Sequence, residues 1–218
     1  MKNVFGPDSP AMVFLRRLMS LVQLNLCWAL CCVPLVSIGA STVSLYGTVA
    51  ALEKDWQKGE ESVEVFSCFF RLFRREFRQS TLLMLVKLGA LAVLLADFRI
   101  ANMVAEPLTG VLSLICWIPA VLAALVNGFV YPVQAKFANT LGATLKNAAL
   151  IAFSDPAVAI SAAVLNAIPL GLLLKRPELF VKTSFLWLLL GAAVIAWCNW
   201  KMMDAVFQKY YTPEEVKE

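Results

Sequence analysis

The stretch LMSLVQLNLCWALCCVPLVSIGASTVSLYGTVAAL, residues 18–52, runs for 35 residues without a single charge. A bilayer core of about 30 Å takes roughly 20 apolar residues as one helix. The run is too long for one crossing and slightly short for two full ones, so it has to bend. Pro34, Gly39 and Ser41 stand where the bend falls, since proline ends a helix and glycine opens a turn. The chain reads as an integral membrane protein, which removes most soluble enzymes from consideration.

Composition agrees. The 218 residues are 60% hydrophobic and only 16% charged, against about 25% charge in soluble domains, and the mean hydropathy is +0.74. The net charge of +4 does not point to nucleic acid, because the basic residues flank apolar spans, where orientation explains them. The first span is expected to be retained rather than cleaved. Its apolar run is too long for a signal peptide, and no small-residue cleavage site leads into a polar chain. The six cysteines are Cys27, Cys31, Cys32, Cys68, Cys116 and Cys198. Five fall in expected spans and Cys68 in a basic connector, so they read as small buried hydrophobes rather than a disulfide framework.

Working outward, the expected fold is an all-α polytopic helical membrane bundle in one integral domain, 1–218. About six hydrophobic segments are expected, near residues 14–36, 43–52, 81–96, 108–135, 157–174 and 183–200, the second short or re-entrant. A turn at 37–42 separates the first two. Residues 63–79 form a basic amphipathic stretch: Phe66, Phe69, Phe70, Phe73 and Phe77 recur at helical spacing, and Arg71, Arg74, Arg75 and Arg78 recur at i, i+3, i+4 and i+7. That pattern suits one interfacial helix with phenylalanines in the membrane and arginines toward phosphates. Asp155-Pro156 reads as a helix start. Trp187, Trp197, Trp200, Tyr210 and Tyr211 read as interface anchors.

Charge decides the topology. If 43–52 crosses, fourteen of the 19 Lys and Arg lie on the amino-terminal side and four on the other, with Lys87 inside a span. If it does not cross, the split is seven to eleven. Positive residues collect on the cytoplasmic side, so both ends are expected in the cytoplasm. Six crossings or a re-entrant hairpin satisfy the count equally.

Several polar residues lie at membrane depth. Asn25, Trp28, Pro34, Ser37, Gly39, Ser41, Thr42 and Tyr46 either line a polar site made by a broken helix, as in transporters, or hold the turn and bond neighbouring helices. Lys87 and Asp97 are ionisable residues in or at a span. They are either functional or placed by snorkelling and by pairing with Arg99. Asn127, Asn139, Asn147 and Asn166 are candidates for interhelical hydrogen bonds. The stripe of Phe70, Phe73 and Phe77 with Arg71, Arg74, Arg75 and Arg78 suits contact with anionic lipid, at about 1 kcal/mol per basic residue near the surface, or with a partner subunit.

No catalytic, cofactor or metal residues are expected. The chain has no histidine, which removes His-based acid–base chemistry and His-containing zinc sites. It holds no Gly-x-Ser-x-Gly, phosphate loop or dinucleotide fingerprint. Cys27 and Cys31, i and i+4, share a helical face with Cys32 beside them. Without histidine they read as inert packing rather than a soft-metal site.

Three segments together carry a resemblance. The first is Asn25-Leu26-Cys27-Trp28 with Val33-Pro34-Leu35-Val36-Ser37-Ile38-Gly39-Ala40-Ser41-Thr42 and Leu45-Tyr46. The second is Phe69-Phe70-Arg71 through Phe77-Arg78-Gln79-Ser80, with Asp97 after the span. The third is Tyr131-Pro132, Lys136-Phe137 and Leu145-Lys146-Asn147-Ala148. Their order and spacing resemble the YesL-like family of bacterial membrane proteins, a family of unknown function, over nearly the whole chain. Ser37 stands where the pattern usually has threonine and keeps the hydroxyl. The resemblance implies a location in the bacterial cytoplasmic membrane. It also implies a link with carbohydrate uptake, because such proteins are often encoded beside sugar ABC-importer components. It supplies no catalytic or ligand residues. The expected function is that of a non-enzymatic accessory or interaction partner of a carbohydrate ABC importer, touching membrane lipid and the importer's permease subunits. The alternative is a stand-alone small transporter or channel.

Overall fold

The computed structural model describes residues 9–103, 108–137 and 139–210. Its elements are α1 (Pro10–Cys32), α2 (Ile38–Gln57), α3 (Val65–Ala101), α4 (Leu108–Lys136), α5 (Leu141–Ser154), α6 (Pro156–Lys175), α7 (Pro177–Lys182), α8 (Ser184–Leu186) and α9 (Ala192–Tyr210). A 3-10 turn, Leu35–Ser37, joins α1 to α2, and a π turn, Trp187–Gly191, joins α8 to α9. Among the described residues, six helical stretches are long and apolar enough to cross a membrane: Pro10–Cys32, Leu35–Gln57, Val65–Ala101, Leu108–Lys136, Pro156–Lys175 and Ser184–Lys209. The fold is a helical membrane bundle.

Local chemistry sets the boundaries. Ser9 caps α1 by accepting the Met12 N–H at 3.3 Å, with Pro10 in the first turn. Pro34 breaks the chain, and the reversal occupies only residues 33–37. Gly39, Ser41 and Thr42, expected in the turn, are instead the first residues of α2. At its other end α2 runs past Leu52 because its charges are engaged. Glu53 is buried and accepts from Trp197 Nε1 at 2.8 Å. Asp55 accepts from Ser62 N and Oγ, both at 2.8 Å, and from Val63 N at 3.2 Å. The second segment is therefore not short but a 20-residue helix about 30 Å long. Gly59, at φ +75°, turns the chain toward α3.

The basic amphipathic stretch differs from the expected separate interfacial helix. It is the first half of α3, a single element of 37 residues, about 55 Å long. No proline or glycine lies between the arginines and the span that follows, so nothing stops the helix at their junction. Its two halves have different partners. The first packs against α2: a Cβ on Gly47 would come within 2.8 Å of Leu72 Cδ1, and one on Gly39 would press into the Ser80 backbone carbonyl. The second packs antiparallel to α4 through Gln134 to Ser80, Tyr131 to Lys87, and Trp117 to Phe98. Its outer faces are apolar and exposed, with Leu85, Leu88, Leu91 and Leu95 among them, as lipid contact requires.

The core runs from Leu24 and Cys27 of α1 through Leu45, Val49 and Leu52 of α2 and Phe69 of α3. It continues through Phe129 and Val133 of α4 to Met203 and Phe207 of α9. α5, at 14 residues, is too short to cross and packs on α4. Pro156 does open α6, but Asp155 makes no side-chain cap and lies 3.8 Å from Lys209 Nζ instead. Trp197 and Trp200, expected as interface anchors, pack on or in the core. Trp200 is buried, and Trp197 sits edge-on to Trp56 at 6.4 Å. The Tyr210 side chain and Tyr211 lie outside the described residues.

Gly39→Ala is expected to cost about 1–3 kcal/mol, because the atom it meets is backbone and cannot move aside. Gly89→Ala, with nothing within 4 Å of its Cβ position, is expected to be neutral or to gain up to about 1 kcal/mol from helix propensity. Thermal unfolding of the two variants in detergent checks the contrast.

Candidate functional site

The constellation predicted around the first hairpin is assembled in space, and its polar atoms end on backbone or on one another. Ser37, in the 3-10 turn, donates to the carbonyls of Cys31 (2.6 Å) and Pro34 (2.7 Å), closing the reversal that Pro34 opens. Ser41 donates to the Trp28 carbonyl at 3.0 Å, and Trp28 Nε1 donates to Thr42 Oγ1 at 3.3 Å. Thr42 in turn donates to the Ile38 carbonyl at 2.8 Å. Four residues thus tie α1 to α2 just inside the turn. Gly39 contributes space rather than chemistry, since its missing side chain admits α3.

Asn25 is fully buried and reaches across to the π turn. Its Nδ2 donates to the carbonyls of Leu188 (2.6 Å) and Trp187 (3.2 Å), and its Oδ1 accepts the Ala193 N–H at 2.8 Å. Leu188 and Ala193 are five residues apart, the spacing a π turn would otherwise bond directly. One amide therefore occupies the gap in the ladder and satisfies groups that apolar surroundings would leave costly. Gly191 fits this geometry, because its Cβ would meet the Trp187 ring.

Deeper, Tyr46 Oη accepts from Asn199 Nδ2 at 3.2 Å, and the same Nδ2 lies 3.2 Å from Asn166 Oδ1. Of the four asparagines expected to bond between helices, Asn166 does so through its side chain. Asn139, in the connector before α5, does not: only its backbone carbonyl is engaged, accepting from Gln79 Nε2 at 2.8 Å, and its buried Nδ2 has no acceptor among the described residues. Asn199 was not singled out by its sequence context, an aromatic-rich stretch that reads as an anchor.

The two ionisable candidates behave differently. Lys87 Nζ lies 3.8 Å from the centroid of the Tyr131 ring, a cation–π contact rather than an ion pair. Asp97 is exposed near the end of α3 and makes no ion pair with Arg99 among the described residues. Neither joins the Asn25–Tyr46 constellation.

In the stripe, the phenylalanines form a ladder. Phe69 is buried and stacked on Phe73 (6.2 Å), which meets Phe77 edge-on (5.5 Å), while Phe70 and Phe77 stay 42% and 37% exposed. Arg75 Nε pairs with Glu76 at 3.1 Å. Arg71, Arg74 and Arg78 are exposed and form no ion pair among the described residues.

A second buried cluster went unforeseen. Gln134 Nε2, fully buried on α4, donates to Ser80 Oγ at 2.9 Å and lies 3.3 Å from Glu76 Oε2. Glu76, only 4% exposed, is the lone acid in a basic run, and that contrast was the available signal. Glu76 and Ser80 lie i, i+4 on the face of α3 opposite its arginines. A further charged contact, Lys136 Nζ to Asp204 Oδ1 at 2.6 Å, joins α4 to α9.

Asn25→Leu is expected to lower stability by about 1–3 kcal/mol, since it leaves a buried carbonyl and N–H unpaired. Tyr46→Phe is expected to cost about 1 kcal/mol or less, the usual worth of one interhelical bond in a membrane. Unfolding of both in the same detergent gives the ranking.

Residues 21–98 match a family model described as "Protein of unknown function, DUF624". The chain is 35% identical over 150 residues, 67% of its length and 68% of the relative's, to "Uncharacterized protein YesL" of Bacillus subtilis (strain 168). No solved structure matches. The alignment covers two thirds of both chains, and the matched residues 21–98 take in the Asn25–Tyr46 hairpin and almost all of the long third helix: the chain belongs to the YesL-like family of uncharacterised membrane proteins.

Proposed function

We propose that this protein is a non-enzymatic accessory of another membrane complex, with both ends in the cytoplasm. The observation that carries the reading is a contrast within the molecule. The polar side chains of the hairpin spend their hydrogen bonds inside the bundle, on the hairpin's own backbone, on the π turn and on Asn199. Arg71, Arg74 and Arg78, beside the half-exposed Phe70 and Phe77, are exposed and form no ion pair among the described residues. Cations interleaved with exposed aromatics suit a protein contact surface, and arginine and aromatics are the residues that anchor such contacts. The complex we propose is a carbohydrate ABC importer, contacted through its membrane permease subunits. The support is the association with sugar-importer components that the family resemblance implies. The cytoplasmic placement rests on the fourteen-to-four division of basic residues, with an even number of span-capable helices behind it.

A tagged copy expressed at natural level and purified in gentle detergent is expected to bring down permease subunits in stoichiometric amount. The triple variant Arg71→Glu, Arg74→Glu, Arg78→Glu is expected to lose them by tenfold or more while remaining folded. Wild-type protein purifying alone and monodisperse, or moving a sugar by itself in liposomes, contradicts the proposal.

Lys87 favours a second reading, a stand-alone transporter. A cation at membrane depth held by an aromatic face is able to meet an anionic solute. On that reading Lys87→Ala abolishes uptake into liposomes at unchanged protein level, whereas loss of folded protein assigns the residue a structural role.

A further inference from the structure

Beside the first helix, away from the constellation, lies a cavity of about 330 Å³ bounded by α1, the last turns of α2 and the 58–64 connector. Arg16, Arg17, Ser20 and Gln23 of α1 face Asp55, Trp56 and Glu61 across it, and Leu15 and Met19 form its rim. Both rim residues are about half exposed, at 51% and 52%, on a helix able to span a membrane. The cavity therefore joins a polar pocket to a surface suited to acyl chains.

Its charges are unequally engaged. Glu61 is held by an ion pair with Arg16. Asp55 already accepts three hydrogen bonds from Ser62 and Val63. Arg17 donates through Nη2 to the Trp56 carbonyl at 3.2 Å and lies over the Trp56 ring at 5.2 Å. Its Nε is buried and has no acceptor among the described residues. A buried guanidinium donor left unpaired is costly, and the acids facing it are already engaged. What fits is an oxygen-rich anion small enough for the cavity and attached to something apolar that leaves over Leu15 and Met19.

We propose that this cavity binds the phosphodiester headgroup of a membrane phospholipid, with Arg17 Nε donating to a phosphate oxygen, Ser20 and Gln23 beside it, and the acyl chains lying over Leu15 and Met19. Arg17 is suited to the role because its planar fork holds phosphate while stacked on an aromatic ring. The site is separate from the stripe on α3, whose arginines are open to any anion. Here one donor is preset in a single half-open pocket, so the expected stoichiometry is one lipid per chain.

The test uses the full chain in nanodiscs of phosphatidylcholine containing one tenth phosphatidylglycerol, released into mild detergent and weighed by native mass spectrometry. Wild-type protein is expected to retain one phosphatidylglycerol. Arg17→Gln is expected to reduce that occupancy at least tenfold, and Arg99→Gln, at the far end of α3, to leave it unchanged. Leu15→Glu keeps the Arg17–Trp56 contact but puts an anion on the rim, and is expected to lose the lipid too. It keeps the proposal testable if Arg17→Gln does not fold. Equal retention by Arg17→Gln and wild type, no retained lipid on wild type, or retention by Leu15→Glu overturns the proposal. Displacement of the lipid by millimolar glycerol phosphate overturns the lipid assignment in favour of a soluble phosphate ester.

Discussion

The structure depends on how closely three helices meet at Ser80. Gly39 of α2 lies against the Ser80 backbone carbonyl with no room for a side chain. Thr81, the next residue, is 3.4 Å from the Val36 carbonyl at the tip of the first hairpin. From the other side Gln134 of α4 bonds the Ser80 hydroxyl. One residue thus receives backbone approach from α2 and a buried amide from α4. On either side of it α3 changes partners, with α2 along its first half and α4 along its second. A long helix with two successive partners needs such a fixed point, and small or hydrogen-bonding residues supply it where apolar packing alone gives little drive between membrane helices.

Around that junction the buried polar groups work as cross-braces. Ser37 and Ser41 bind carbonyls of the first hairpin, Asn199 ties α9 to α2 and α6, and Asn25 fills the ladder gap of the π turn. Each makes at least one hydrogen bond within the fold, as a low-dielectric surrounding demands, while Asn199 Oδ1 has no partner among the described residues. The first half of α3 is different: its arginines project outward while Glu76, on the same helix, is drawn into the core. Interior organisation and outward chemistry are thus divided between two faces of one helix.

Much of this was legible from charge spacing, because uncharged runs separated by polar clusters mark membrane helices regardless of packing. The count of six and the reversal at Pro34 follow from that reading, while the family follows from the resemblance of the motif segments around Asn25–Tyr46, Phe69–Ser80 and Tyr131–Ala148. Boundaries were less legible where a polar residue is engaged by a distant partner. The second segment seemed to stop at Leu52 because Glu53 and Asp55 are charged, yet Trp197 and the 58–64 connector hold them and the helix continues. Gly39 reads equally as a turn residue or as a close approach, and only the position of Ser80 decides. The arginine stripe suggests a helix lying flat, because an amphipathic pattern records faces and not where the axis points. The Glu76–Ser80–Gln134 cluster spans 58 positions between its outer members, and the π turn leaves no mark in composition. Both are properties of the assembled bundle.

The polar residues between Asn25 and Asn199 brace the bundle and do not line a water path. The direct measurement places Asn199→Cys in a chain whose six native cysteines are replaced by alanine. Membranes are then treated with a charged, membrane-impermeant thiol reagent from each side, with Glu60→Cys on the exposed connector as the reference. Cys at 199 is expected to stay unlabelled until the protein is denatured while the reference reacts. Labelling at a rate near that of the reference would place water at the Tyr46–Asn199 bond and contradict the bracing role.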